Sequence, residues 1–369
     1  AHVTHNFEGA LDAIEEDGTA EVMLGGRPIR VGKTLVENVR SESLGQAIGL
    51  SNEARSALFY ALLLKDLGCS SNAAKMCYLF GNDDRTVKED FKTTDWRNKW
   101  QQICYVARNT ASPKRSLWQW ARQFLRVGLA GDQTARQMMR IRCERGANIA
   151  RTLLLPEATA EAIHALDEHW DGGGHPDGLR GEQIPQLARI LCLAQTFEVF
   201  FARDGRDAAM EVIRQRSGSW FDPELVQAAL ALRHDAELWD TLAGDDVRQA
   251  LQALEPGDQV LMADEPMLDR ISWGFAQVID AKSPWTWNHS EGVTELAVGM
   301  GQVLGFSLTE LSQLKRGALM HDIGKLGVPN TILDKPGRLT DQERGIVQQH
   351  PRFSERILGR VSSFQNLAP

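Results

Sequence analysis

Two stretches of the chain, 32–68 and 288–324, carry the same alternation of apolar and polar positions, that of two amphipathic helices joined by a tight turn. In each, the first helix is predicted to end at a glycine, Gly49 or Gly305, where a left-handed C-terminal cap costs little. A serine follows, Ser51 or Ser307, placed to cap the next helix. Glu310, three residues after Ser307, completes a capping box, and Thr340 with Glu343 makes another. The expected fold class is all-α. Only Val3–Arg30, with Gly-rich turns and short alternating stretches, suggests a small β element. No apolar run approaches the roughly 18–20 residues that a bilayer-spanning helix needs.

The likeness of the two stretches extends to residue identity. A shift of 256 places Gly32–Gly68 on Asn288–Gly324 without a gap, and nine of the 37 positions are identical, among them Asp66 with Asp322 and Gly68 with Gly324. Further along, a shift of 208 places Ile149 on Ile357 and Arg142 on His350. The change of offset puts 48 extra residues into the first copy, within Cys69–Arg142, a segment rich in Trp, Lys and Arg. Internal repetition of this kind predicts one helical unit used twice. The expected boundaries are 1–258 for the first copy and 259–369 for the second.

Composition narrows the function classes. A net charge of −8 argues against a general nucleic-acid or membrane-surface binder, so no long nucleic acid and no membrane partner is expected. A small anionic ligand stays open, because metal ions and a few local cations can invert the field inside one pocket. The five cysteines are odd in number and never in CxxC spacing, which reads as reduced thiols in a cytoplasmic protein. The chain begins at Ala1 rather than Met, and is expected to be part of something longer.

The candidate chemistry concentrates at His321-Asp322-Ile323-Gly324-Lys325, with His289 32 residues before His321 and His350 29 after it. An adjacent His-Asp pair offers an imidazole nitrogen and a carboxylate to one divalent ion or to two neighbouring ones. Asp322 has two oxygens and could bridge a pair of metals about 3.5–4 Å apart, with His289, His321 and His350 as terminal nitrogen ligands. Imidazole and carboxylate together suit Fe or Mn foremost, and also Zn or Ni. Lys325, one short loop away, is placed to orient a phosphate or protonate a leaving oxygen. Lys335 and Arg338 flank a Pro-Gly turn and could hold phosphates, although the turn chemistry alone explains Pro-Gly. An isolated His-Asp dipeptide is usually surface decoration; the flanking histidines lift this one above that reading. In the first copy every such residue but Asp66 has changed: Lys33, Lys65 and Arg142 stand at the histidine positions and Cys69 at the lysine. A lysine holds a metal only after losing its proton, so that copy is expected to be metal-free. His164, His169 and His175 read as structural, and Trp96, Trp100, Trp118 and Trp120 as core or interface packing.

The stretch 321–351, HDIGKLGVPNTILDKPGRLTDQERGIVQQHP, resembles the front half of the catalytic core of HD-GYP phosphodiesterases, a branch of the HD metal-dependent phosphohydrolases. The stretch 169–189, HWDGGGHPDGLRGEQIPQLAR, resembles the back-half signature, with Gly174-His175-Pro176 in place of Gly-Tyr-Pro, and 219–230 resembles the closing helix. The two halves fall in different copies. In the first, Leu166-Asp167 replaces a His-His pair and Gln195 stands where the family has a late aspartate. In the second, the His-His pair would fall at 374 and 375; the pattern is still in register at Pro369, so continuation beyond it is expected. The resemblance implies two tandem HD-type helical bundles and two divalent metal ions held by His289, His321, Asp322 and His350. It assigns catalytic roles to Asp322 and Lys325. It further implies a cyclic dinucleotide substrate, cyclic di-GMP foremost, opened by a metal-bridging hydroxide. Trp285 stands where some members carry a glutamate for a third metal, which favours two. A non-catalytic sensing or docking module, and another HD-type nucleotide phosphohydrolase, are the competing readings. A homodimer or a signalling partner is compatible with all three.

Overall fold

A computed structural model of the chain describes residues 41, 43–82, 87, 93–94, 98–111, 116–235, 238–239, 264–286 and 288–367. Among these there is no strand; one isolated bridge joins Ser217 and Phe221. The fold is all-α. The stretch Val3–Arg30, expected to carry a β element, and Trp96 lie outside the described residues.

The described residues fall into two compact units. One draws on Gly32–Cys69 and Lys88–Gln259, the other on Ser70–Val87 and Val260–Pro369. The first unit is centred on α1 (Asn52–Leu64), whose residues from Ser56 to Leu64 are all buried. Ser51 caps α1 by accepting the Ala54 N–H at 3.2 Å. The unit continues through α3 (Lys99–Thr110), the 36-residue α4 (Leu117–Thr152), α5 (Glu157–His164), α6 (Gln186–Asp204), α7 (Arg206–Gln215) and α8 (Pro223–Ala231). Helices α1, α4 and α6 pack on α5, and α6 is buried from Ile190 to Phe200. Such helices are apolar around most of their circumference because they are covered on more than one side. Trp100 and Trp118 do not join this core: they are 75 % and 87 % exposed. Trp120 does pack, donating its indole N–H to the Ala107 carbonyl and lying against Phe124.

In the second unit α2 (Ala73–Phe80) accompanies α9 (Glu265–Asp280), α10 (His289–Val303), α11 (Leu308–Met320), α12 (Asn330–Leu333), α13 (Asp341–Val347) and α14 (His350–Gly359). Ser307 and Glu310 close their capping box at the start of α11, and Thr340 and Glu343 close theirs at α13. Arg316 on α11, 5 % exposed, ties that helix to α9 through Asp269 and Glu265, both at 2.6 Å. A buried guanidinium with two carboxylates is fixed in place because leaving it unpaired is far more costly than pairing it.

Where both are described, the stretches that align in sequence fold alike. Gly49 and Gly305 both adopt the left-handed conformation, at φ +74° and +80°. Each is followed by the same return bond, Leu50 N–H to Gly45 and Phe306 N–H to Gly301. Lys65 and His321 close α1 and α11 with nearly identical backbone angles, φ −53° in both and ψ −28° and −30°. A Cβ built on Gly68 would run into Arg142 O and Gly146 N; one built on Gly324 would run into His350 O and Ser354 N. The partners of the two glycines differ by the same 208 positions that the sequence alignment requires.

Candidate metal centre

Three helix ends deliver the histidines. His289 is the first residue of α10, after Asn288 in the left-handed conformation. His321 is the C-terminal cap of α11, and His350 the first residue of α14. Helix ends suit this purpose, because a side chain there projects past the packed barrel of the helix. After Asp322 the chain tightens into a 3-10 turn, Ile323–Gly327, which brings Lys325 back over the aspartate.

Asp322 is the hub. Its side chain is 3 % exposed, and four groups meet it. Oδ2 lies 2.6 Å from Lys325 Nζ, 3.2 Å from His321 Nε2 and 3.5 Å from His289 Nε2; Oδ1 lies 3.4 Å from His350 Nε2. Burial alone would push this carboxyl up. The hydrogen bonds from His321 and Lys325 outweigh burial and hold it well below the ordinary carboxylate range. The same hydrogen bond raises His321 above its ordinary value, against burial.

The histidine tautomers follow from their outer partners. His321 Nδ1 faces the Ala318 carbonyl at 2.8 Å and His350 Nδ1 faces the Val347 carbonyl at 2.7 Å. A carbonyl only accepts, so Nδ1 donates in both rings; His321 Nε2 donates to Asp322 only when its ring is protonated, and in the neutral imidazole Nε2 presents its lone pair instead. The lone pairs of His321 and His350 then face the carboxylate at 3.2 and 3.4 Å. That arrangement demands a cation, a proton or a metal. The spacing fits a metal: ligands about 2.1 Å from a tetrahedral ion stand about 3.4 Å from one another. Among the described residues, His289, His321 and Asp322 form the one His/Cys/Asp/Glu group of this compactness, with ligand atoms all within 4.8 Å.

Lys335 and Arg338 are placed differently. Lys335 pairs with Glu343 and Arg338 is exposed on the turn; neither is among the groups that meet Asp322. Trp285 is 83 % exposed.

Two supporting residues carried no sequence signal that the spacing of histidines could reveal. Asp280, buried at the end of α9, accepts the Ser290 N–H at 3.1 Å and the Ser290 hydroxyl at 2.7 Å, which fixes the first turn of α10 beside His289. Burial raises the Asp280 carboxyl, with the Ser290 bonds opposing. The Asp280→Ala variant strands both Ser290 donors. Stability is expected to fall by about 1–3 kcal/mol, and Mn2+ affinity with it; thermal melting and a Mn2+ titration check the two. Ser354, buried on α14, is the other.

The corresponding place in the other unit is filled by protein cations. Lys65, 2 % exposed, pairs with Asp66, and Cys69 Sγ lies 3.4 Å from the other Asp66 oxygen. Arg142 forms a short ion pair with Asp167, and Gln195 donates to Asp167 at 3.4 Å. Burial lowers the Arg142 pKa, but Asp167 together with Cys69, Cys143 and Asp66 more than reverses this and leaves it raised. Cys143 beside it is pushed up to about 12 by burial, so it stays a thiol. His169 stacks on Trp220 at 4.2 Å and is lowered by burial to about 4, which makes it a neutral packing group.

Comparison with known proteins places these observations in a family. The HD domain family model matches residues 130–225 and 275–369. A 3'3'-cGAMP-specific phosphodiesterase 3 of Vibrio cholerae is 40 % identical over 328 residues, which is 88 % of this chain and 70 % of that protein. A cyclic di-GMP phosphodiesterase of Thermotoga maritima is 40 % identical over 78 residues, 21 % of each chain. A crystal structure of a cyclic GMP-AMP specific phosphodiesterase of V. cholerae matches with a TM-score of 0.68 at 34 % identity, covering 100 % of this chain and 81 % of that one.

Proposed function

The chain belongs to the HD domain family and is a hydrolase of the phosphodiesterase kind, and on that premise we propose that it opens a cyclic dinucleotide at the cluster around Asp322. The observation that carries this reading is one buried carboxylate met by three imidazoles and an ammonium. We take His289, His321, Asp322 and His350 as the groups that hold two divalent ions, Fe or Mn foremost, with Zn or Ni also suited to imidazole and carboxylate. When bound, such ions supply charge neutralisation at phosphorus and acidify the attacking water. Asp322 contributes the negative charge that attracts them, and its two oxygens face different imidazoles. Lys325, half-buried 2.6 Å from Asp322, is a donor at the mouth of the cluster that can hold a phosphate oxygen or deliver a proton to the leaving oxygen. In the net reaction water adds to phosphorus, one P–O bond breaks, and the released ribose oxygen takes up a proton. Lys335 and Arg338 serve, in this reading, as outer phosphate contacts.

The relative similar along most of the chain bears 3'3'-cGAMP in its name, which makes that mixed dinucleotide the first substrate to test and cyclic di-GMP the second. We read 1–258 as a non-catalytic copy, a view supported by the Lys65 and Arg142 cations, and 259–369 as the copy that carries the chemistry. Incubation with Mn2+ or Fe2+ and each dinucleotide, read by chromatography, is expected to yield the linear product, and chelation to stop it. Metal uptake without any dinucleotide turnover would sink the catalytic reading in favour of a sensing module. Turnover confined to mononucleotides or monoesters would instead point to another HD-type phosphohydrolase.

A further inference from the structure

Ser354 lies four residues after His350 on α14 and is 6 % exposed. A serine at such a position often bonds back to the carbonyl four residues earlier. This one does not. Its hydroxyl accepts the Gly324 N–H at 2.9 Å and donates to the His321 carbonyl at 3.0 Å. One side chain thus fastens both ends of the His-Asp turn to the helix that carries the third histidine. Its single proton and one lone pair are both used, and both partners are backbone groups that cannot rotate away.

The fastening acts where the parts are already in closest contact. Gly324 has no room for a Cβ against His350 O and Ser354 N, so the turn and α14 touch backbone to backbone. The position that corresponds to Ser354 in the other unit is Gly146, and Arg142 stands there in place of His350. The hydroxyl is missing from the copy whose histidines are missing.

We propose that Ser354 is a positioning residue for the metal centre: by clamping the His321 carbonyl and the Gly324 amide onto α14, it sets the distance from His321 and Asp322 to His350. This rests on the metal reading of the cluster given above. Such a role differs from generic packing in its readout. A clamp on ligand geometry changes metal affinity more than its share of stability, whereas a merely stabilising hydrogen bond does not.

The test is Mn2+ binding by calorimetry to the full chain and to two variants. Ser354→Ala removes the clamp. Val361→Ala, at a buried position outside the cluster, supplies a comparable loss of thermal stability. Loss of an outer-shell partner typically weakens metal affinity roughly 10–100-fold, and that is the shift expected for Ser354→Ala, with Val361→Ala staying within about twofold of the parent. Equal weakening in both variants, or an unchanged dissociation constant in Ser354→Ala, overturns the positioning role alone. A parent protein that takes up no Mn2+ overturns the metal reading and this inference with it.

Discussion

Asp322→Asn is expected to remove metal binding and to lower turnover roughly a thousandfold or more. The substitution keeps the volume of the side chain and discards its charge. Among the described residues, Asp322 is the one carboxylate that meets all three imidazoles and Lys325. Asparagine would leave three imidazoles and an ammonium around a neutral amide, and the cluster would then offer a divalent ion no anionic ligand. Metal ions provide several kcal/mol of transition-state stabilisation in such hydrolyses, and each 1.4 kcal/mol is tenfold in rate. Metal analysis of the purified variant and single-turnover assays measure the two losses. A variant that keeps stoichiometric Mn2+ and more than about a tenth of the parent rate would show that the aspartate is not the hub.

The second large effect is expected at Gly324, and it comes with an internal control. An alanine there drives its Cβ into the His350 carbonyl and to 2.8 Å from the Ser354 nitrogen, both main-chain atoms that have no rotamer to change. Relief requires α14 to lift away from the turn, breaking the Ser354 clamp and carrying His350 off Asp322. Overpacking of this kind costs about 1–3 kcal/mol, and more where backbone must move. Gly68→Ala creates the matching clash with Arg142 O in the other unit. Both variants are expected to lose similar stability in the transition of their own unit, while only Gly324→Ala loses Mn2+ affinity. Denaturant melts followed by separate probes, with a Mn2+ titration, separate the outcomes. If Gly68→Ala abolished metal binding as well, the two clashes would not be local.

What the sequence made legible was local chemistry. The caps at Ser51, Ser307 and Thr340 and the left-handed glycines at 49 and 305 are fixed by a few consecutive residues, and the folded chain has them where the pattern placed them. His289, His321 and His350 were recognisable because two histidines flank a His-Asp pair, and the fold gathers all three on one carboxylate. Ser354 and Asp280 were not legible, because a serine in mid-helix and an aspartate at a helix end are ordinary until a turn from elsewhere in the chain docks on them. The ion pair of Lys335 with Glu343, eight residues on, was likewise not legible from the Pro-Gly turn alone. The same blindness to distant partners explains Trp100 and Trp118, where a preference for burial met a helix face that the described residues leave open.

The two ion pairs Lys65–Asp66 and Arg142–Asp167 bear on how readily such a pocket could change its occupant. Each cation there is attached to the chain and paired with its own carboxylate. Exchanging Arg142 alone for histidine would strand Asp167, 13 % exposed, without its counter-charge, and breaking a buried pair from one side costs about 3–5 kcal/mol. Asp66 differs: it is 55 % exposed, so exchanging Lys65 leaves a carboxylate that water can solvate. At Arg142, then, the step from the tethered cation back to a diffusible one passes through a less stable protein, and the replacement there works as a ratchet.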